Sequence, residues 1–423
     1  MSHSDQKFTG FLIPHAVALA ALLATTGLVH AAEVAGVAYP AWTFGGYGSL
    51  GVAYSDYDQA DFTSNILKGD GVGATHRFNG NLDSRLAAQL GVTLDKQWSA
   101  VLQVGVEQRY DGTFRPQVEW ANIKYQVTPD LSLRVGRIAL PIFLAADYRK
   151  IGYAYPWVRT PNEVYGGVPI TNSDGADLAY RWQWGAVKHT TQAFFGRTNV
   201  YLTKTTGVEG RKLGGVTHTA ERGAATLRVS AFTALLDVNI ARDLFNTYRQ
   251  FGPAGVAIAD KYDVIGKRST GYSIGANYDP GQWFVMAEGG RMNTRSFLGD
   301  TTSMYVSAGY RIGEYTPYVV YAQNKAKAVT SDPGLPLAGL PPAYKATVAE
   351  LNYYLDYAIK AAPSQTNFGF GVRWDLRPDM ALKLQYEHVT PRDGTRGTLV
   401  NRQPGFESGH AVNVTSAVLD FVF

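Results

Sequence analysis

The 423-residue chain has no cysteine, and beyond its N-terminus it has no long apolar run. Without cysteine there is no disulfide framework and no thiolate metal site, so stability must come from packing and hydrogen bonding. The longest apolar stretch after the N-terminus, "IALPIFLAA" (138–146), is interrupted by Pro141. It is far too short to cross hydrocarbon as a helix, which excludes a helical membrane bundle. Charge of one sign is also scarce. The 39 Lys/Arg and 35 Asp/Glu leave a net +4, with no block of more than two consecutive basic residues, so a nucleic-acid partner is not expected. The eight histidines are scattered and no HExxH occurs, so neither a metal site nor a cofactor is expected, and an enzymatic role is disfavoured.

The chain is rich in glycine (45), tyrosine (26) and phenylalanine (19). Its first 31 residues read as a secretory leader: Lys7, then the apolar "FLIPHAVALAALLATTGLV", then "VHA" before Ala32. Residues 1–31 are therefore expected to be a signal peptide and 32–423 a single β domain.

That domain alternates with a period of two. In "SRLAAQLGVTLDKQWSAVLQVGVEQR" (84–109), Leu86, Ala88, Leu90 and Val92 share one parity and Arg85, Gln89 and Thr93 the other. After "DKQ" the pattern resumes with Trp98, Ala100, Leu102 and Val104 against Ser99, Gln103 and Glu107. Such alternation marks strands with one apolar and one wet face. Sixteen candidates follow, at 43–54, 84–94, 98–109, 117–127, 131–138, 175–184, 188–197, 222–229, 232–241, 269–278, 283–292, 303–312, 315–324, 366–375, 380–389 and 412–423. Most are about ten residues long, the length that spans a bilayer at a strong tilt.

The connections alternate between short and long. The short ones are "DKQ", "TPD", "GAV", "SA", "DPGQ", "GE" and "RPD". The long ones run over 55–83, 139–174, 198–221, 242–268, 325–365 and 390–411, with only 110–116 short among them. A closed barrel with a rim of turns and a rim of loops explains this asymmetry; a soluble sandwich does not. Tyr125, Trp98, Tyr278, Trp283, Tyr315, Trp374 and Phe421 lie near the turns or the C-terminus, where an interfacial aromatic girdle belongs. The last segment, "NVTSAVLDFVF", places Thr415, Ala417, Leu419, Phe421 and Phe423 on one parity and is expected to close the barrel against "TFGGYGSLGVAY". The predicted fold is all-β: a sixteen-stranded antiparallel transmembrane barrel with short periplasmic turns and long extracellular loops.

The stretches "LSLRVGR" (131–137), "GYRIGEYTPYVVYA" (309–322), "FGFGVRWDLRPDMALKLQYEH" (368–388) and the terminal "LDFVF" resemble the porins of Gram-negative outer membranes, and the likeness covers essentially the whole mature chain. The resemblance implies a location in the outer membrane among lipid and lipopolysaccharide, a homotrimer, and a third long loop folded into the channel. It also implies that Phe421 and Phe423 form the signal read by the outer-membrane assembly machinery. The third loop, 139–174, carries "ADYRKIGYAYPWVRTPNEVYGG" and so departs from the acid-dominated constriction loop of general diffusion porins.

Extending the strand parity turns nine cations and six anions inward: Arg85, Glu107, Arg109, Lys124, Arg134, Asp177, Arg181, Arg228, Asp237, Glu288, Arg311, Arg373, Asp375, Lys383 and Glu387. Arg85, Arg109, Arg134 and Arg181 are expected to form a basic wall facing Asp147 and Glu163 of the third loop. The expected function is passive diffusion of small hydrophilic solutes, with a weak anion preference. The alternative is a barrel whose long loops act in adhesion or surface binding. One helical pattern, "AYKATVAELNYYLDYAIKAA" (343–362), is expected to cover the barrel mouth, with Val348, Leu351, Leu355 and Ile359 on one face.

Overall fold

The computed structural model describes residues 39–423 apart from 328, 330 and 361, so the predicted leader lies outside the described residues. Sixteen long strands form the wall: β1 (Ala41–Tyr54), β2 (Arg85–Thr93), β3 (Trp98–Glu107), β4 (Gln117–Gln126), β5 (Leu131–Ala139), β6 (Asn172–Trp184), β7 (Val187–Tyr201), β8 (Gly207–Arg222), β9 (Ala225–Val238), β10 (Lys267–Tyr278), β11 (Trp283–Thr294), β12 (Gly299–Tyr310), β13 (Tyr315–Lys327), β14 (Gln365–Arg377), β15 (Met380–Pro391) and β16 (Val412–Val422). Each pairs antiparallel with its sequence neighbour, and β1 also pairs with β16, so the sheet closes on itself. The first strand does this by dividing its length. Residues from Ala41 to Ser49 face β2, and residues from Tyr47 to Tyr54 face β16. Phe423 completes the seam by exchanging two backbone hydrogen bonds with Gly46, at 2.8 and 3.0 Å.

The outer face is apolar because alternation puts it there. Leu86, Leu90, Leu102, Ile123 and Val135 are all exposed on the barrel exterior. Toward the short-turn rim the outer side chains become aromatic and pair across strands: Trp98 with Tyr125 at 4.6 Å, Tyr278 with Trp283 at 5.3 Å, and Tyr315 with Trp374 at 5.5 Å. Aromatic rings prefer the boundary between hydrocarbon and water, where the ring is apolar and its edge polar.

One hairpin differs from the sequence expectation. The turn lies at Gly223-Ala224, not at Ser230-Ala231, so the predicted strands 222–229 and 232–241 are replaced by β8 and β9. Gly223 takes φ +57°, which a tight turn needs and glycine supplies without strain. Ser230 and Ala231 instead continue the ladder opposite Ser273 and Tyr272. The polar, glycine-rich "GVEGRKLGGVTHTAER" of β8 hides its period, and the expected long loop 198–221 contracts to residues 202–206. Asp237 then falls on the outward parity, at the loop end of β9, where it pairs with Arg211.

The remaining long loops fold into structured units. Loop 3 (140–171) enters the barrel and carries the short helix α1 (Asn162–Tyr165). Loop 5 forms α2 (Arg242–Arg249) and α3 (Gly252–Tyr262), and loop 7 forms α4 (Pro342–Ile359). Phe245, Tyr248, Ala259 and Tyr262 of loop 5 share a core with Val348, Leu351, Leu355 and Ile359 of α4, so two loops make one helical cap.

Closure is tight at Gly46, where an added Cβ would sit 2.4 Å from both the Ala87 carbonyl and the Phe423 ring. We expect Gly46→Val to lower stability by about 1–3 kcal/mol, the usual range for overpacking a close contact. The measure is the fraction of heat-modifiable folded barrel after refolding in detergent; an unchanged fraction would show that the seam is loose.

Loop 3 and the candidate constriction

Loop 3 is held inside the barrel by two unlike surfaces. On one side the inner wall is apolar: Phe194, Leu213, Ala234, Phe284, Met286, Tyr305, Tyr318, Val320 and Ala322 pack against Leu140, Ile142, Phe143, Leu144, Tyr155, Trp157, Val164 and Tyr165 of the loop. Strands β7 to β9 and β11 to β13 therefore carry apolar side chains on both faces, whereas the inner face of β10 is Ser269, Gly271, Ser273 and Gly275. The loop's polar backbone is satisfied by wall side chains, as buried peptide groups require. Thr217 donates to the Pro141 carbonyl, Ser273 to Ile142, Arg228 to Phe143, and the Leu144 N–H donates to Glu288 at 2.7 Å.

On the other side the loop is held by charge. Lys150 sits between Glu107 and Glu119, at 2.8 and 2.6 Å. Arg159 donates to Asp83 at 2.7 Å, and also to Glu387 and to Ser416. The fully buried Lys383 of β15 reaches inward. It donates to the carbonyls of Gly152, Tyr155 and Trp157 at 2.6, 2.7 and 2.8 Å, and pairs with Asp420 at 2.8 Å. Gly152 is required there, since a Cβ at that position would meet the Asp420 carboxylate at 2.0 Å. Tyr153 then extends to the 378–379 turn and donates to the Pro378 carbonyl at 2.7 Å, so the loop reaches the short-turn end of the lumen.

Between loop 3, loop 1 and strands β2 and β3 lies a cavity of about 50 Å³. Its lining includes five cations, Lys68, Arg85, Arg149, Lys150 and Arg159, and one carboxylate, Glu107. Burial of the Lys68 ammonium in loop 1 pushes its pKa down to about 8, against the pull of Glu107.

The sequence profile of the Gram-negative porins matches residues 18–394. The chain belongs to the Gram-negative porin family. Its fold is similar to that of the outer-membrane channel DcaP of Acinetobacter baumannii (TM-score 0.55, 10% identity, 91% of this chain and 97% of that one covered). It is also similar to OmpF of Salmonella typhi in complex with daunomycin (TM-score 0.52, 14% identity, 90% and 97% covered). OmpT of Vibrio cholerae gives a TM-score of 0.50 at 10% identity, with 92% and 100% covered. A search of curated proteins found no match. Family and fold together make this an outer-membrane porin channel, pointing away from an enzyme.

The porin brings some of the expected residues together and separates others. Arg85 and Glu107 face inward at the cavity. Lys124, Arg134, Asp177 and Arg181 form a second inward cluster on β4, β5 and β6. There Arg134 holds Asp177 through two nitrogens at 3.0 and 2.6 Å, and Lys124 stands opposite Arg134 in register. Arg109 is a correction. Strand β3 ends at Glu107, so Arg109 lies in loop 2 with its guanidinium 5.5 Å from the Tyr110 ring centroid. Glu163 is another: it is buried in α1, accepts from Gln365 of β14 at 2.6 Å, and does not border the cavity. Burial raises its pKa. Asp147 pairs with Arg228 at 3.6 Å.

Glu288 and Arg373 serve loop 3 itself, Glu288 through Leu144 and Tyr165, and Arg373 through the Tyr153 carbonyl at 2.6 Å. Phe421 and Phe423 stack on the outer parity with centroids 6.4 Å apart.

The expected polarity holds at Asp147, which faces Arg228 of the wall, and is reversed at Lys150 and Arg159, where the loop supplies the cation and its surroundings supply the carboxylates. The residues that alternation could not single out are Lys68, Asp83, Arg149, Lys150 and Arg159, which lie in loops, and Glu119, which lies at a register shift; Asp420 is inward by the parity of the last strand but is not among the expected residues. Arg149 and Lys150 stand in the quoted "DYRK", but nothing in a loop's sequence says which way it faces. The stretch "GYSIG" (271–275) has the GxSxG spacing of hydrolase nucleophiles. It lies within β10 rather than on a strand-to-helix elbow, and Ser273 donates to the Ile142 carbonyl at 2.7 Å, so its hydroxyl docks loop 3.

Lys383→Met would leave Asp420 buried without its cation and three carbonyls without their donor. Removing one partner of such a buried pair costs about 3–5 kcal/mol. Denaturant unfolding in micelles should show a loss of that size, and a loss below about 1 kcal/mol would mean that loop 3 does not depend on this lysine.

Proposed function

We propose that this porin passes small hydrophilic anions by diffusion down their gradients, without chemistry of its own. The observation that carries the reading is the inward cluster of Lys124, Arg134 and Arg181 around one carboxylate, Asp177. At the loop 3 cavity the excess is smaller, because Glu107, Glu119, Asp83 and Glu387 balance most of the five lining cations. Where low-dielectric walls surround a hydrated path, such an excess acts over several ångströms and favours entry of the opposite sign.

Three accessory roles follow from the same reading. Residues 1–31 act as the export leader. The terminal Phe421 and Phe423 engage the assembly machinery. The protein works as a homotrimer embedded in lipid and lipopolysaccharide. Trimer formation is supported by the aliphatic outer face of β2 and β3, where Leu86, Ala88, Leu90, Ala100, Leu102 and Val104 form a surface without charge.

The test is the reversal potential of the purified porin in a planar bilayer under a salt gradient. The wild type should favour chloride over potassium. Replacing Lys124, Arg134 and Arg181 together by glutamine should reduce the preference by roughly two- to tenfold, the change expected when about a kilocalorie of electrostatic stabilisation is lost. Arg109→Gln, in loop 2, should leave it unchanged. Equal permeability in the wild type refutes the anion reading.

Lys68 adds a pH dependence. A lysine titrating near pH 8 is charged below that value and neutral above it. Anion preference should therefore fall as pH rises from 7 to 9, and Lys68→Arg should abolish the change. A flat profile in the wild type would show that Lys68 stays charged or lies off the conducting path.

A further inference from the structure

We propose that His189 and His218 form a binding site for one divalent transition-metal ion of the copper or zinc type, on the outer face of the barrel near its short-turn rim. The two histidines stand on neighbouring strands, β7 and β8, and share the outward parity of the exposed Phe195 and Val216. His189 lies close to the start of β7, in register with Trp182 of β6, and His218 of β8 is in register with Thr191. The Trp182 ring stacks on His189 with centroids 3.9 Å apart and an interplanar angle of 12°. The pair therefore belongs to the aromatic girdle, where water and headgroups replace hydrocarbon. It faces away from the bore, so nothing in the channel reading uses it and the site does not depend on that reading.

The ring nitrogens carry the inference. His189 Nδ1 and His218 Nε2 face each other at 3.2 Å. Two imidazole nitrogens bound to one tetrahedral ion at about 2.0–2.1 Å lie about 3.3 Å apart, so the pair already spans the distance that such an ion needs. The orientation of both rings is set in advance. Thr191 Oγ1 lies 2.9 Å from His218 Nδ1, and a hydroxyl that accepts from that nitrogen leaves the Nε2 lone pair aimed at the gap. Outer partners fix metal-binding imidazoles in the same way. His189 is held by the stacked Trp182, and its Nε2 is buried without a partner among the described residues, so the ring makes its polar contact across the gap. Little freedom is then lost when an ion arrives. Imidazole suits copper, zinc and nickel, whereas magnesium and calcium take oxygen ligands. No third His, Cys, Asp or Glu joins the pair among the described residues, so water at the rim completes the coordination.

The test is titration of the tag-free porin, purified in detergent and stripped with a chelator, with Cu²⁺, followed by electron paramagnetic resonance. The wild type should bind one Cu²⁺ per chain and show the hyperfine pattern of two imidazole nitrogens, and added Zn²⁺ should displace the copper. Thr191→Val should weaken binding by about tenfold, the usual effect of losing a partner that orients a ligand. His189→Gln and His218→Gln each remove a ligand outright and should cost at least about tenfold, with the two-nitrogen pattern lost. Folding of each variant is checked by heat-modifiable gel mobility. His410→Gln, at an exposed histidine of the 390–411 loop, should bind like the wild type. Because the site faces lipid, Cu²⁺ at saturating concentration should leave single-channel conductance unchanged. A wild type that binds no Cu²⁺, or a two-nitrogen pattern that survives both glutamine substitutions, overturns the site. Copper that blocks the current of the wild type but not of His189→Gln overturns its placement on the outer face.

Discussion

In hydrocarbon no water is available to an unpaired amide, and the rest of this molecule depends on how its first strand meets that constraint. β1 pairs with β2 over its first half and with β16 over its second, and the terminal residue Phe423 bonds back to Gly46. The glycines of β1 are part of that solution. At Gly46 and Gly48 the rings of Phe423 and Phe421 lie where side chains of β1 would otherwise project, and Phe44 packs beside Phe423. Closure in turn fixes an inside, and everything that discriminates solutes is built there.

The inside is asymmetric. Strands β7 to β9 and β11 to β13 present mainly apolar side chains to loop 3, with Arg228 and Glu288 among them, while β2 to β6 and β14 to β16 present mainly charge. Loop 3 bridges the two, with its aromatic residues against one half and Lys150 and Arg159 against the other. The apolar contacts supply area-dependent stabilisation without direction, whereas the ion pairs and the Lys383 cluster set where along the wall the loop must sit. Burial of this kind costs desolvation, so each pair is valuable mainly for placement.

Much of the architecture is legible in the sequence, because a barrel strand has lipid on one side and water on the other, and alternation records that difference residue by residue. Leu86 against Arg85, or Trp98 against Ser99, needs no tertiary knowledge. The failures have physical causes. β8 carries four glycines and polar residues on both faces, so its alternation is weak, and the turn at Gly223 is announced only by a left-handed glycine. Stretches such as "YVVYA" in β13 are apolar on both parities because Tyr318, Val320 and Ala322 meet loop 3 rather than water. Loop residues have no period at all. The partners of Lys150 and Arg159 lie tens to hundreds of positions away, and only the closed fold brings them within bonding distance.

The reversed polarity at Lys150 and Arg159 follows from this packing. A loop that enters a barrel leaves its backbone dipoles and its side chains to be satisfied by what surrounds it, and here the wall offers carboxylates at Glu107, Glu119 and Glu387 and loop 1 offers Asp83. Cations on the loop that reach those carboxylates become anchors and lose most of their influence on passing ions. Arg149 is held differently: its guanidinium is tied to the Val168 and Pro169 carbonyls of the same loop, so it braces loop 3 against itself where Lys150 and Arg159 brace it against the rest of the barrel.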